Sequence, residues 1–168
     1  MTAKGDPLDA LGLKHPQELL AGLDYALVIE FFSVFSRFEY ALKICGYLRS
    51  NKEATPAWQR FASEMIGQLS LVPSKKLKKA VEFLSENPPK NQMKNLEWQD
   101  VHFPAICIDC DSKAIIAATR VRNNLFHGGK YLNTEPESDS KLIQSSLTVI
   151  YGCLLVRAGL KEAYDLVR

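Results

Sequence analysis

Between Asp24 and Arg49 apolar residues recur at a spacing that an α-helix gathers onto one side. At about 100° per residue, Leu27, Val28, Phe31, Val34, Phe35, Phe38, Ala41, Leu42 and Cys45 cover one half of a cylinder. Glu30, Ser33, Arg37 and Tyr40 fall on the other half. Such a helix is a rod of roughly 39 Å at 1.5 Å per residue, typical of the spine of a bundle. Its apolar half has to be covered by other helices.

Those helices are visible downstream. In "PAWQRFASEMIGQLSL", Pro56 suits a first turn, Trp58, Phe61, Met65 and Leu69 return to one face, and Pro73 ends the run. Ser74 caps a third helix, "KKLKKAVEFLSE", whose seam of Leu77, Ala80, Val81 and Leu84 is stopped by Asn87-Pro88-Pro89. Residues 90 to 110 show neither helical nor strand period, and a loop of that length is expected to pack across the bundle. Asp111 or Ser112 caps a fourth helix running to Phe126, and a last one covers 138 to 167. Gly5, Pro7, Gly12, Pro16 and Gly22 mark 1–23 as an irregular arm, which leaves 24–168 as one domain. The expected fold is all-α, an antiparallel bundle of four to five helices with short extra elements.

A chain of 168 residues buries a sizeable core without disulfides or metal. Its net charge of +2 does not by itself argue for nucleic acid, so any basic site must be local. Lys75, Lys76, Lys78 and Lys79 are the one concentrated run, which reads as a solvated face or as an RNA contact. With no signal-peptide pattern and no run of eighteen apolar residues, a cytoplasmic protein without a membrane partner is expected. The four cysteines are expected as thiols, Cys45 and Cys153 as small buried residues within helices.

The segment "VRNNLFHGGKY" (121–131) is the one that helix packing does not explain. On a helical wheel Arg122 shares its side with Ile115, Ala118, Thr119 and Phe126, whereas Lys113, Arg120 and Asn124 fall opposite, on the expected solvated face. A guanidinium turned toward a core needs an acid, such as Glu30 or Glu39, or an anionic ligand such as a phosphate. Gly128 and Gly129 are suited to end the helix, leaving His127 at its C-terminus, where the end of the helix favours a protonated ring.

The sequence "RNNLFHGGK", placed before a loop and a final long helix, resembles the signature of HEPN-domain proteins: an arginine, a polar residue, and a histidine a few positions on. Arg122, Asn123 and His127 match it, and "FFSVFSRFEYALKICGYL" is similar to the first helix of many bacterial members. The resemblance implies a homodimer in which two such motifs face each other and cut RNA without metal, as a toxin or phage-defence effector. An antitoxin or regulatory protein is then a further partner. One subgroup carries a tyrosine two residues after the histidine; here that position is Gly129, and Tyr131 comes two later.

The chemistry suits those residues. RNA supplies its own 2′-hydroxyl nucleophile, so cleavage needs proton transfer and a stabilised phosphorane but no cofactor. His127 is the one candidate for proton transfer, Arg122 can make paired charge-assisted bonds to the phosphoryl oxygens, and Asn123 is placed to orient either of them. Lys130, Arg120 and Asn124 are expected to touch RNA. Cys107 and Cys110 have zinc-like spacing without a second pair, and His15 and His102 read as surface residues, so no metal is expected. The rival function is a catalytically inactive RNA-binding or regulatory module in which Arg122 and His127 tie the helix to its neighbours.

Overall fold

A computed structural model of the chain describes residues 11–15, 17–20, 22–50, 53–126 and 136–166. Within them lie six helices: α1 (Tyr25–Ile44), α2 (Trp58–Glu64), α3 (Lys75–Glu86), α4 (Cys110–Phe126), α5 (Pro136–Val156) and α6 (Ala158–Asp165). A two-stranded antiparallel hairpin, β1 (Asn91–Gln92) and β2 (Trp98–Gln99), interrupts them. The fold is all-α apart from this hairpin. Among the described residues no single helix is long and apolar enough to cross a membrane.

Helix α1 starts where the pattern places it, with the Asp24 carboxylate accepting from the Ala26 N–H at 2.9 Å. It stops at Ile44, short of the predicted Arg49, because Gly46 takes φ +82° and turns the chain. Cys45 is therefore exposed beyond the helix end, a correction to its expected burial, while Cys153 is buried in α5. Phe31, Phe35 and Phe38 enter the core, where Trp58 of α2 packs 5.3 Å from the Phe35 ring and 5.9 Å from the Phe38 ring. Helix α3 matches its predicted bounds, cap and seam: Ser74 accepts from the Leu77 N–H, and Leu77, Ala80, Val81 and Leu84 are buried.

The second helix is shorter than predicted. After Glu64 the chain runs through turns, Gly67 adopting φ +69°. Two aspartates at the start of α4 take over the amides that a longer helix would have bonded. Asp111, fully buried, accepts from the Leu69 and Ser70 N–H groups at 2.8 and 3.0 Å and from the Ser70 hydroxyl at 2.8 Å. Asp109 accepts from the Gly67 N–H at 2.7 Å and caps α4 itself, accepting from the Ser112 N–H at 2.9 Å. The cap thus lies at Asp109, ahead of the predicted Asp111 or Ser112.

The predicted last helix is two, α5 and α6, meeting at 111°. The break falls at Arg157, whose guanidinium donates to the Glu64 carbonyl at 2.7 Å and so holds the bend against the end of α2. Helix α6 then folds back onto α1, where Arg37 Nε donates to the Tyr164 carbonyl at 2.6 Å. Arg37 is accordingly not on an open face.

Landmarks along the helices give their directions. Asp111, early in α4, bonds the segment before α3, and Asn124, late in α4, bonds Lys90 just past α3's end. Helices α3 and α4 therefore run side by side in one direction. Gly152, late in α5, lies so close to Leu77, early in α3, that an added Cβ would sit 2.7 Å from a leucine methyl. Helix α5 is thus antiparallel to both and packs tightly on α3.

Two outcomes follow. Asp111→Ala strands the buried Leu69 amide and the part-buried Ser70 amide and hydroxyl, and should lower unfolding free energy in urea by about 2 to 4 kcal/mol. Burial works to raise the Asp109 pKa, but hydrogen bonds from the Ser112 hydroxyl and from the Ser112 and Gly67 amides outweigh it and hold the carboxyl below its usual value. A group depressed on folding stabilises the fold above its unfolded pKa, about 3.9, and that contribution disappears as pH falls through the lower folded value. Asp109→Asn should therefore flatten the acid limb of the stability curve below about pH 4; an unchanged limb would contradict the assignment.

Candidate functional site

Helix α4 is enclosed: ten of its 17 residues are buried, and α2, α3, α5 and β1 all pack against it. Small residues at Ala114, Ala117 and Ala118 permit the close approach. A helix covered on several sides has no wholly wet face, and this reverses the predicted placement of its arginines.

Arg120 is 8% exposed. Its two terminal nitrogens donate to the consecutive carbonyls of Val101 and His102, both at 2.8 Å, and its guanidinium lies 4.8 Å from the centre of the Phe103 ring. Burial pulls its pKa down from the ordinary arginine value. Asn124 is equally enclosed, its amide donating to the Lys90 carbonyl at 2.6 Å. Both were placed on an open face and expected to touch RNA; that placement is corrected, since each instead fastens the hairpin-bearing 90–103 segment to the bundle. The long loop does pack across the helices, and α4 supplies the fastenings.

Arg122 has the more accessible position, its side chain 36% exposed. One terminal nitrogen donates to Glu39 of α1 at 3.2 Å and the other to the side-chain oxygen of Asn123 at 3.0 Å. Of the two acids suggested by the sequence, Glu39 is the partner; Glu30 instead accepts from the Tyr151 hydroxyl at 3.2 Å. The guanidinium lies 5.7 Å from the Phe35 ring centre and 5.2 Å from that of Phe126. Phe126 was expected on the apolar side of α4 but is 53% exposed, and it meets Phe32 of α1, also about half exposed, at 5.1 Å between ring centres. Helices α1 and α4 are bridged here by long side chains rather than by close backbone packing. The signal for Phe32 was present in the sequence, for it lies about 100° from Phe31, off the core-facing half of α1.

Such a site can hold an anion. The guanidinium is oriented by one carboxylate and one amide, flanked by two rings, and open to solvent, so a phosphate can approach it without entering the core. His127 and Lys130, together with Gly128, Gly129 and Tyr131, lie outside the described residues. In sequence His127 follows Phe126, the last residue of α4. The α3 lysines are exposed but lie toward the start of that helix, beside the start of α4 and away from Arg122. Cys107 is buried, which raises its thiol pKa, and Cys110 is exposed. Among the described residues no three His, Cys, Asp or Glu side chains converge as a metal site would require.

Comparison of the chain with protein-family models, curated proteins and solved structures returns no match.

The two arginines should separate by stability. Arg120→Ala leaves two inward carbonyls without a donor and a gap against Phe103, and should cost about 3 kcal/mol in urea denaturation. Arg122→Ala removes a partly exposed ion pair, and should cost about 1 kcal/mol or less. Equal losses would contradict this division of labour between the two arginines.

Proposed function

We propose that this protein is a metal-independent endoribonuclease of the HEPN type, working as a homodimer in the manner of a toxin or phage-defence effector. One observation supports this reading above the others: of two arginines two residues apart on α4, Arg120 is spent on main-chain carbonyls while Arg122 remains about one-third exposed, one turn before the helix end that precedes His127.

In the proposed reaction, the His127 imidazole of one protomer takes the proton from a ribose 2′-hydroxyl, and the 2′-oxygen attacks the adjacent phosphorus. Arg122 binds the phosphoryl oxygens as charge accumulates on them, and Asn123, already bonded to Arg122, steadies that geometry. The bond from phosphorus to the 5′-oxygen breaks, and the imidazolium of the second protomer protonates the leaving oxygen. The products carry 2′,3′-cyclic phosphate and 5′-hydroxyl ends. Two histidines supply base and acid, which is the mechanistic reason for a dimer.

The Arg122–Glu39 ion pair favours a second reading, an inactive HEPN-like module that binds RNA or a regulatory protein and in which this pair simply ties α4 to α1. One experiment distinguishes them. Labelled RNA is incubated with the parent protein, Arg122→Ala and His127→Ala, with and without EDTA, beside a copy carrying a single 2′-deoxy substitution at the cut site. The enzyme reading expects cyclic-phosphate ends, no cutting at the deoxy position, no effect of chelator, and a loss of about a hundred- to ten-thousand-fold in His127→Ala. Cleavage of the deoxy position, or an undiminished rate in His127→Ala, would overturn it.

A further inference from the structure

We propose that Phe32 and Phe126 form a stacking platform for one unpaired base of single-stranded RNA, beside the Arg122 guanidinium that takes the same stretch of phosphate backbone. This rests on the ribonuclease reading of Arg122 and specifies how its substrate is held.

The two rings differ from the other phenylalanines of α1. Phe31, Phe35 and Phe38 are almost wholly buried, whereas Phe32 is 46% exposed and Phe126 53% exposed. The pair meet at 41°, tilted rather than flush, and each keeps much of its surface open to water. Tyr25 and Ile29 extend the same exposed stripe along α1 at helical spacing. What gives the stripe its occupant is the cation beside it: the Arg122 guanidinium lies 5.2 Å from the Phe126 ring centre.

A nucleotide is a flat, weakly hydrated base joined to a charged phosphate. Bases in unpaired RNA stack on aromatic rings, while arginines hold the backbone. Ring and guanidinium at neighbouring positions match those two parts of one ligand. A second copy seated flush over the same rings would also cover the Arg122–Glu39 pair and close it to RNA, so in the proposed homodimer the facing motif is set across an open cleft from Arg122 and not on the rings. The exposed Asn123 and Ser36 beside the patch also give it a polar margin suited to a ribose-phosphate chain.

The test measures binding of a short, fluorescein-labelled, 2′-O-methylated and therefore uncleavable RNA to the full chain by fluorescence anisotropy. Phe126→Leu and Phe32→Leu keep an apolar side chain without an aromatic face, and Phe126→Trp keeps the face; circular dichroism melts confirm that each is folded. Each leucine variant should bind about five- to a hundred-and-fifty-fold more weakly, and the tryptophan variant should stay close to the parent. An abasic site at the stacked position should weaken binding to the parent similarly and add little to the leucine variants. Leucine variants that bind within about twofold of the parent would overturn the platform, and the ribonuclease reading would still stand if Arg122-dependent cleavage persisted. Ring-dependent binding without any cleavage by the parent would support the platform and sink the cleavage reading. A dimer that falls to monomer in Phe126→Leu, with RNA affinity per protomer unchanged, would assign the rings to a second copy and overturn the proposal. Failure of the parent to bind RNA at all would overturn both.

Discussion

Helix α4 is buried on most of its sides, and the other elements answer to that constraint. A polar side chain on an enclosed helix must find a partner within the protein, because an unsatisfied buried group costs more than its hydrogen bond would have gained. Asp111, Arg120 and Asn124 each solve the problem alike, by capturing main-chain groups of irregular segments: residues 69–70, residues 101–102 and Lys90. Those segments then have fixed conformations without a regular ladder of their own. The turn after α2 and the crossing between α3 and α4 are held by one helix.

Arg122 is the contrasting case. It emerges where α4 faces α1, and at this seam the gap is spanned by side chains: an ion pair, a guanidinium over two rings, and one pair of half-open phenylalanines. A partly exposed ion pair contributes little stability, so Glu39 is better understood as aiming the guanidinium than as holding two helices together. Rigidity comes from the buried bonds of α4, and accessibility from the one side of its last two turns that carries Arg122, Asn123 and Phe126. An anion site requires both, since donors must be oriented before the ligand arrives.

Much of this was legible in sequence, and the failures share one cause. Helix α3 could be read in full, from its Ser74 cap to its Asn87-Pro88 stop, because it has one wet face and one dry one and every determinant is local. The Asp24 cap and the phenylalanine face of α1 were equally local. The length of α2 was misjudged because the groups that replace its hydrogen bonds, Asp109 and Asp111, lie some forty residues away. The break between α5 and α6 was invisible for the same reason, its arginine reaching Glu64 across 93 positions. The wheel for α4 misplaced Arg120 and Asn124 because a wheel presumes that one side meets water. It drew attention to Arg122 for a reason that proved mistaken, since the structure leaves that residue more open than its neighbour.

The central claim is that Arg122 meets RNA phosphate while Arg120, two residues away, serves only the fold. Side-chain nuclear magnetic resonance of the arginine Nε–Hε groups, followed while uncleavable single-stranded RNA is titrated into the protein, observes both guanidinium groups at once. The account predicts that the Arg122 resonance shifts with RNA concentration and returns when salt is raised, while the Arg120 resonance stays fixed throughout. A stationary Arg122 signal in a sample that demonstrably binds RNA, or movement of Arg120 in its place, would contradict it.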